Sequence, residues 1–378
     1  MDQFSVMGGA QLCLLDVLDA VERRAWAAHV ALPGDGPLVE RIRSRGVSVH
    51  NIPCGPYRSG SKSFADMIKL PVDVWRQKRI GGGLIRTGKV DLIYVNGPRL
   101  LPSAAVAAQG RVPVLFHAHN RLNQSYAEAL AGWSLRHSDA TAVACSKYVG
   151  QPLARYVREG DLHVIANGTP DAGCRERAFG HGKGWRIGLI GRISPEKGQA
   201  EFLQAAALLA SEFPAARFVI CGAPIIPAGK YFDLVNELAR GLPVEFLGWR
   251  DDISAVLAEF DLLIVPSHDE GMGRVVVEAF SAGVPVVAFA AGGIPEVITD
   301  GQTGFLVQGV TPEALAARIR EVMLSDAEDV RRVATNARKA WEGSYTVAKY
   351  QSRITDLMEQ VVSAWRAKHE RAAPPPRK

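Results

Sequence analysis

Short apolar runs alternate with helix-like patterns along this chain of 378 residues. In the first half, the runs that predict strands lie at 47–52, 92–95, 114–116, 140–144 and 162–165. The stretches between them have the apolar spacing of helices, at 11–23, 37–45, 64–80, 103–109 and 146–157. This alternation is typical of a parallel sheet with helices on both faces.

The second half repeats the pattern, with predicted strands at 185–190, 217–221, 244–246, 262–265, 286–288 and 305–307. A stretch rich in glycine and charge separates the halves. We therefore predict an α/β chain of two doubly wound domains, a division that its length also favours. The predicted parts are a first domain 1–168, a linker 169–183, a second domain 184–345, a helix 346–368 and a disordered tail 369–378.

Residues 269–278 carry the clearest candidate chemistry. Glu270 follows the strand 262–265, and Glu278 lies within a predicted helix. The amides of 271–274 would then stand at a helix N-terminus, where the dipole favours an anion, while a carboxylate binds hydroxyls. A phosphorylated sugar is a ligand that has both an anionic phosphate and hydroxyls. The alternative is a solvated strand–turn–helix junction with two surface glutamates.

A second strand–turn–helix junction lies at 191–198 and carries Arg192 and Lys197. Arginine can contact a phosphate through two parallel hydrogen bonds, and lysine adds a mobile charge. The alternative is a Glu196–Lys197 surface pair of little energetic worth. Another glycine-rich turn, at 291–296, precedes a short predicted helix.

These motifs, in their order and spacing over about 185–310, resemble the donor half of retaining GT-B glycosyltransferases of the family-4 type. They are Gly-Arg-Ile-Ser-Pro-Glu-Lys-Gly at 191–198, the Glu270–Glu278 pair, and the segments 282–286, 292–297 and 300–304. The first half resembles the family more weakly, at 8–11, 117–120, 144–147 and 164–168. The resemblance implies two Rossmann-like domains facing across a cleft, with the helix 346–368 crossing back to the first domain. It also implies glycosyl transfer from a nucleotide diphosphate sugar to a saccharide or lipid-linked acceptor.

The same resemblance assigns roles. Arg192 and Lys197 would neutralise the diphosphate, Glu278 would bind the ribose and Glu270 the transferred sugar. It places further substrate contacts at Gly8, Gly9, His117, Asn120, Gly271, Met272, Gly273, Arg274 and Val275. Met272 stands where the family most often has Phe, and Arg274 where an apolar residue is common. Arg274 would add either a phosphate contact or a salt bridge.

Two histidines, His117 and His119, follow the predicted strand 114–116 on the same side of the sheet. The resemblance places His119 against the transferred sugar, with His117 as the second candidate. The alternatives are a packed polar strand end and a metal pair, and the latter lacks a third ligand nearby. The chain contains no Asp-x-Asp. We therefore expect metal-independent chemistry and no cofactor beyond the nucleotide-sugar co-substrate.

Composition sets further expectations. The chain is 47% apolar, and its five cysteines are scattered, which predicts reduced thiols. It has neither an apolar run of spanning length nor a leader, so we expect a cytoplasmic protein. Only seven residues, 1–7, precede the first glycine turn, and this segment is too short and too polar to form a central strand. We expect the true start to lie upstream of Met1, with a native short strand as the alternative.

Charge is uneven. Residues 1–181 contain 22 Lys plus Arg against 15 Asp plus Glu, a net of +7, whereas residues 182–378 contain 22 against 24, a net of −2. Basic side chains attract anionic lipid by about 1 kcal/mol each. We expect peripheral binding to the inner membrane face, with a phosphorylated acceptor or simple solubility as alternatives. No motif supports nucleic-acid binding.

Three other classes differ in what they require. A nucleotide-sugar epimerase or hydrolase would need acid and base carboxylates in the first half, where no such pair stands out. A non-catalytic nucleotide-sugar-binding protein would not need the whole set of charged residues. A dehydrogenase would need Gly-x-Gly-x-x-Gly after a first strand, which is lacking. The sequence therefore favours a glycosyltransferase, in cell-surface polysaccharide or glycolipid synthesis.

Overall fold

A computed structural model of the chain describes residues 1–54, 64–88, 90–175, 177, 179, 184–224 and 229–372. They form two compact units. The first unit consists of residues 1–166 together with the chain from 348 onward, and the second of residues 167–347. The last helix therefore belongs to the first unit.

The first unit contains two groups of parallel strands. A pair is formed by β1 (His29–Leu32) and β2 (Ser48–Asn51), and a four-stranded sheet by β3 (Ile93–Val95), β4 (Val114–Ala118), β5 (Thr141–Ala144) and β6 (Leu162–Val164), in that order. The helices are α1 (Gly9–Arg23), α2 (Pro37–Arg43), α3 (Phe64–Arg86), α4 (Leu101–Ala108), α5 (Ser125–Ser138), α6 (Lys147–Gly150) and α14 (Val347–Ala372). A 3-10 turn follows α6 at Gln151–Tyr156.

The first two residues bridge the strand groups. The Asp2 amide donates to the carbonyl of Ala31 at 3.1 Å, and the Asn96 amide donates to the carbonyl of Met1 at 2.8 Å. The α-ammonium of Met1 donates to the carbonyl of Tyr94 at 2.6 Å. Burial lowers the pKa of this ammonium to about 6. A cavity of about 570 Å³ lies beside Met1, lined by apolar side chains such as Val30 together with charged ones such as Asp91 and Arg366.

Several boundaries differ from the predicted ones. Strand β1 was not predicted, and α3 continues beyond 80 through three glycines. A β-carbon at Gly81 would lie 3.5 Å from that of Ala107 on α4, which is an ordinary van der Waals contact. Helix α14 continues to Ala372, where His369 stacks on Trp365 with ring centres 4.0 Å apart. The predicted disorder of 369–372 is therefore wrong, and 373–378 lie outside the described residues.

The second unit is built on one parallel sheet of six strands in the order β12-β11-β10-β7-β8-β9. The strands are β7 (Arg186–Ile190), β8 (Arg217–Cys221), β9 (Val244–Gly248), β10 (Leu262–Val265), β11 (Val286–Phe289) and β12 (Phe305–Val307). The helices are α7 (Gln199–Leu209), α8 (Lys230–Leu238), α9 (Ile253–Ala258), α10 (Arg274–Ser281), α11 (Ile294–Val297), α12 (Pro312–Leu324) and α13 (Ala327–Ser344). The buried apolar faces of β7, β8 and β10 form its core with α7 and α12.

Part of the predicted linker is bound to the second unit. Arg177 donates to the carbonyl oxygens of Leu257 at 3.1 Å, Phe260 at 2.9 Å and Ala282 at 2.7 Å. These carbonyls lie at the ends of α9 and α10, where helices leave acceptors without an intrahelical partner. The described residues from Asn167 onward thus belong to the second unit. Among the residues with described structure, none of the helices is both long and apolar enough to span a bilayer.

Candidate functional site

The two charged loops meet at one edge of the second sheet. Strands β7 and β10 are neighbours, so the loops that follow them, 191–198 and 266–273, leave from the same edge. Gly198 has a φ of +71°, and a β-carbon there would lie 2.0 Å from the carbonyl oxygen of Pro266. Glycine is therefore required where the loops touch.

Lys197 and Glu270 are brought into direct contact. The Lys197 Nζ donates to Oε1 of Glu270, and the hydroxyl of Ser267 donates to the same oxygen at 3.1 Å. The side chains are only 26% and 13% exposed. The glycine-rich turn at 291–296 fixes the backbone of Glu270, because the Gly293 amide donates to the carbonyl of Glu270 at 2.8 Å.

Arg192 lies on the 191–198 loop, as Lys197 does, and forms an ion pair with Glu196. Both side chains remain more than two-fifths exposed. The side chain of Gln199 donates to the carbonyl of Arg192 at 2.9 Å and so fixes the backbone of the turn. The alternative Glu196–Lys197 pair is not what forms, since Glu196 meets Arg192 and Lys197 meets Glu270.

Helix α10 begins at Arg274, after Gly273 with a φ of +80°. Arg274 Nε donates to Oε1 of Glu278 at 3.0 Å, and Nη1 donates to the carbonyl of Gly168 at 3.1 Å. The contact with Glu278 is the salt bridge considered for Arg274. Burial raises the pKa of Glu278, and the charge of Arg274 opposes that rise.

The remaining predicted positions of this loop differ in exposure. Gly271, Met272 and Gly273 are buried, whereas Val275 is partly exposed. The sulfur of Met272 accepts from the amide of Asn167 at 3.2 Å, inside the second unit. Met272 is therefore packed within the second unit.

In the first unit, Gly8 precedes the first turn of α1, and Gly9 begins that helix. His117 lies within β4, not after the strand as predicted, and is completely buried. The ring of His119 lies 4.0 Å from that of His117, on the same side as predicted, and Asn120 is exposed.

His117 contacts Tyr94 as well as the ring of His119. Its Nδ1 lies 2.5 Å from the hydroxyl of Tyr94, and burial lowers the pKa of His117 well below its usual value. These features favour the packed polar strand end for His117.

Two polar residues at this edge were missed. Asn96 contacts His119 Nε2 through its amide oxygen at 2.7 Å, and the buried Asp2 accepts from the Asn96 side chain. No motif marks either residue. Asn96 could have been found from its position alone, because it directly follows the apolar strand 93–95, just as His119 directly follows the next strand.

Two family models match the chain. The model of glycosyl transferases group 1 matches residues 176–340, and the glycosyl transferase 4-like domain matches residues 8–168. A D-inositol 3-phosphate glycosyltransferase of Mycolicibacterium gilvum is 36% identical over 191 residues, which are 48% of this chain and 42% of that protein. The sulfoquinovosyl transferase SQD2 of Arabidopsis thaliana is 32% identical over 340 residues, 82% of this chain and 62% of that protein. The match thus spans about two-fifths of the first relative's length.

Solved structures are similar over nearly the whole chain. Anabaena Alr3699/HepE in complex with UDP has a TM-score of 0.80 at 25% identity, covering 95% of this chain and 98% of that one. Its complex with UDP-glucose has a TM-score of 0.79, also at 25% identity, with the same coverage. A sucrose-phosphate synthase of Thermosynechococcus elongatus has a TM-score of 0.73 at 19% identity, covering 96% of each chain. These likenesses and the parallel sheets of both units confirm the predicted GT-B fold.

Proposed function

Because the chain belongs to the glycosyl transferases group 1 family, we propose that it transfers a glycosyl group from a nucleotide diphosphate sugar to an acceptor hydroxyl. The observation that carries this proposal is the contact of Lys197 with Glu270 beside Arg192, at one edge of the second sheet. Ligands of open α/β sheets bind outside the carboxyl ends of the strands, where these side chains lie.

The charges suit the bond that breaks. As the bond from the anomeric carbon to the phosphate oxygen breaks, its electron pair stays on the diphosphate, and the acceptor oxygen forms the new bond. The acceptor proton is released as the nucleoside diphosphate leaves. Fixed cations at Arg192 and Lys197 stabilise the negative charge that grows on the leaving group.

The carboxylates are assigned to the neutral parts of the donor. Glu270 would accept hydrogen bonds from hydroxyls of the transferred sugar, and Glu278 from those of the ribose. Both are paired with a cation in the free protein, so donor binding exchanges these partners. We propose retention of configuration and metal independence, supported by the motif resemblance and by a sequence without Asp-x-Asp.

We propose a UDP-sugar as the donor, because the HepE structures hold UDP and UDP-glucose at 25% identity. A thermal-shift screen of UDP-, GDP- and ADP-sugars tests this choice. A ligand at about 100 times its dissociation constant adds about 2.7 kcal/mol of stability. Stabilisation by GDP- or ADP-sugars alone would overturn the choice of base.

Transfer itself is tested by incubating the stabilising donor with saccharide and lipid-linked acceptors. The expected result is a glycosylated product that retains the donor's anomeric configuration. Rapid epimerisation or release of free sugar without an acceptor would support an epimerase or hydrolase instead. Donor binding with no turnover on any acceptor would support a non-catalytic binding protein.

We further propose that α3 lies on an anionic membrane, in cell-surface polysaccharide or glycolipid synthesis. Val72, Trp75, Arg76, Arg79 and Arg86 are exposed at spacings that share one helix face. The Arg79 guanidinium stands 4.9 Å from the centre of the Trp75 ring, and that ring is 54% exposed. Tryptophan beside arginines is the composition of helices that lie in the interface of anionic bilayers.

A further inference from the structure

The backbone around Arg192 in the second unit is hydrogen-bonded on two sides. Toward β8, the Gly191 amide donates to the carbonyl of Cys221 at 2.9 Å. Two positions farther on, the Ile193 amide donates to the carbonyl of Ala223 at 3.1 Å. In an extended chain the backbone groups of successive residues point to opposite sides, so those of Arg192 point away from β8.

The side chain of Gln199, the first residue of α7, occupies that other side. Its Nε2 donates to the carbonyl of Arg192 at 2.9 Å, and its Oε1 accepts from the amide of Ser194 at 3.3 Å. A carboxamide presents one donor and one acceptor side by side, as a residue of a neighbouring strand does. Gln199 is completely buried, and it therefore takes the place of a strand residue beside the loop.

Tyr231 helps to fix the direction in which the Gln199 amide faces. Its hydroxyl accepts from the amide of Ala200 at 3.2 Å and donates to Oε1 of Gln199 at 3.4 Å. Burial raises the pKa of Tyr231, so the hydroxyl keeps its proton. The Arg192 carbonyl can only accept, so the amide nitrogen must face it. The amide oxygen then faces the two donors, Ser194 and Tyr231.

The side chain of Arg192 is free to move where its backbone is not. It is 43% exposed and is paired with Glu196, which is 42% exposed. Because the backbone is bonded on both sides, an exchange of Glu196 for an anionic ligand requires rotation of the Arg192 side chain alone. A cation with a fixed backbone loses less conformational entropy when it binds such a ligand.

We propose that Gln199 is a positioning residue that holds Arg192 for the diphosphate of the donor, and that Tyr231 orients Gln199. This inference rests on the proposed glycosyl transfer and deepens it. Since Gln199 acts through Arg192, its loss should weaken the binding of the phosphates and leave the binding of the nucleoside unchanged. A merely structural role would affect both.

Hydrogen exchange of the Ser194 amide tests the contact itself, on the full chain without a ligand. Gln199→Met removes the donor and the acceptor from a side chain of similar length. It should speed the exchange, measured by ¹⁵N NMR, by about tenfold or more. Gln204→Met, at an exposed glutamine of α7, is the matched control and should leave the exchange unchanged. Parent-like exchange in Gln199→Met would overturn the proposal.

Calorimetric titration with UDP and with uridine tests the positioning role. Gln199→Met should weaken UDP binding by about tenfold, as expected for one hydrogen bond to a charged group. The affinity for uridine should stay within about twofold of the parent's. In an Arg192→Ala background, the same substitution should change the UDP affinity by less than about twofold, because the two residues act together.

The outcomes separate this inference from the proposed function. Equal losses of UDP and uridine affinity, or an undiminished loss in the Arg192→Ala background, would overturn the positioning role while the parent still binds UDP. If the parent binds no nucleoside diphosphate, the proposed function fails, and the positioning role fails with it. Should Gln199→Met not fold, Gln199→Asn keeps the amide but is one carbon too short to reach both groups. Parent-like UDP affinity in that variant would contradict the proposal.

Discussion

Lys197 and Glu270, 73 positions apart in the sequence, are joined by a hydrogen bond from Nζ to Oε1. The contact links the loop after β7 to the loop after β10, and both side chains are mostly shielded from water. Removing two charges from water offsets much of their attraction, so such a pair adds little to stability. We infer that its value lies in holding a cation and a carboxylate ready for a ligand that needs both.

Lys197→Ala should lower transfer by about two orders of magnitude with the fold intact, because one preorganised charge contact contributes about 2.7–4 kcal/mol to the transition state. Steady-state kinetics with the donor measure the loss. Lys339→Ala, which removes an exposed lysine of α13, is the matched control. Kinetics of Lys197→Ala within about fivefold of the control would remove Lys197 from the site.

Glu270→Gln should mainly lower kcat, whereas Glu278→Gln should mainly weaken donor binding. Glu270 stands at the strand end beside Lys197, and Glu278 lies farther along on α10 beside Arg274. Turnover and donor affinity are measured separately, by initial rates and by calorimetric titration. If both variants keep the parent's affinity and rate, the two carboxylates do not contact the donor.

Gly198→Ala should destabilise the second unit more than Gly301→Ala. Both glycines have left-handed backbone, with φ values of +71° and +67°. A β-carbon at 301 meets nothing within 4 Å, whereas one at 198 meets the Pro266 carbonyl oxygen at 2.0 Å. Gly301→Ala should cost about 1–2 kcal/mol from backbone conformation alone. Urea unfolding measures both, and equal midpoints would contradict the close contact of the loops.

Asp171 should stabilise the second unit only above acidic pH. Two nitrogens of Arg338 donate to its two oxygens at 2.6 and 2.8 Å, and the Arg338 hydrogen bonds lower the pKa of Asp171 from 3.8 to about 2. A depressed carboxyl pKa contributes stability that is present above the unfolded value of 3.8. That stability disappears as the pH falls toward about 2.

The measurement compares urea midpoints of the parent and Asp171→Asn across this pH range. The parent should be the more stable above about pH 4, and the two should converge near pH 2. Asp329→Asn, at an exposed aspartate of α13, serves as the control. A constant difference at all pH values would show that the Arg338 contact does not depend on charge.

Vesicles that carry anionic lipid should bind the protein, and salt should release it, because exposed charges are screened beyond about 8–10 Å. Arg76→Glu combined with Arg79→Glu should reduce this binding in a sedimentation assay. The same charge change at Arg331 and Arg332, exposed on α13, should leave it unchanged. Equal binding of the parent to neutral and anionic vesicles would oppose the membrane proposal.

The second unit was the more predictable half. Its strands are apolar on both faces because they are buried in one parallel sheet, so 217–221, 262–265 and 305–307 were predicted with the observed bounds. The family resemblance placed Lys197 and Glu270 in one donor site, but their direct contact was not predicted. The hydrogen-bond partners of the charged side chains, including the pairing of Arg192 with Glu196, could not be predicted, because they depend on side-chain geometry that a sequence pattern does not contain.

The first unit was harder to predict for physical reasons. Strand β1 has only four residues and follows a helix closely, which left too little alternation to detect. Helix α3 continues through the three glycines at 81–83, whereas glycine has a low helix propensity and predicts an earlier end. Asp2 and Asn96 are 94 positions apart, and a linear pattern does not show that the fold brings them into contact.

The buried amino group of Met1 has a practical consequence for purification. A polyhistidine tag fused before Met1 would replace the buried ammonium that donates to the Tyr94 carbonyl, and its chain would have to leave from that buried position. An apolar extension able to pair with the neighbouring backbone would be better tolerated there. The last described turns of α14 are exposed at His369 and Glu370. The carboxyl end is therefore the better place for an affinity tag.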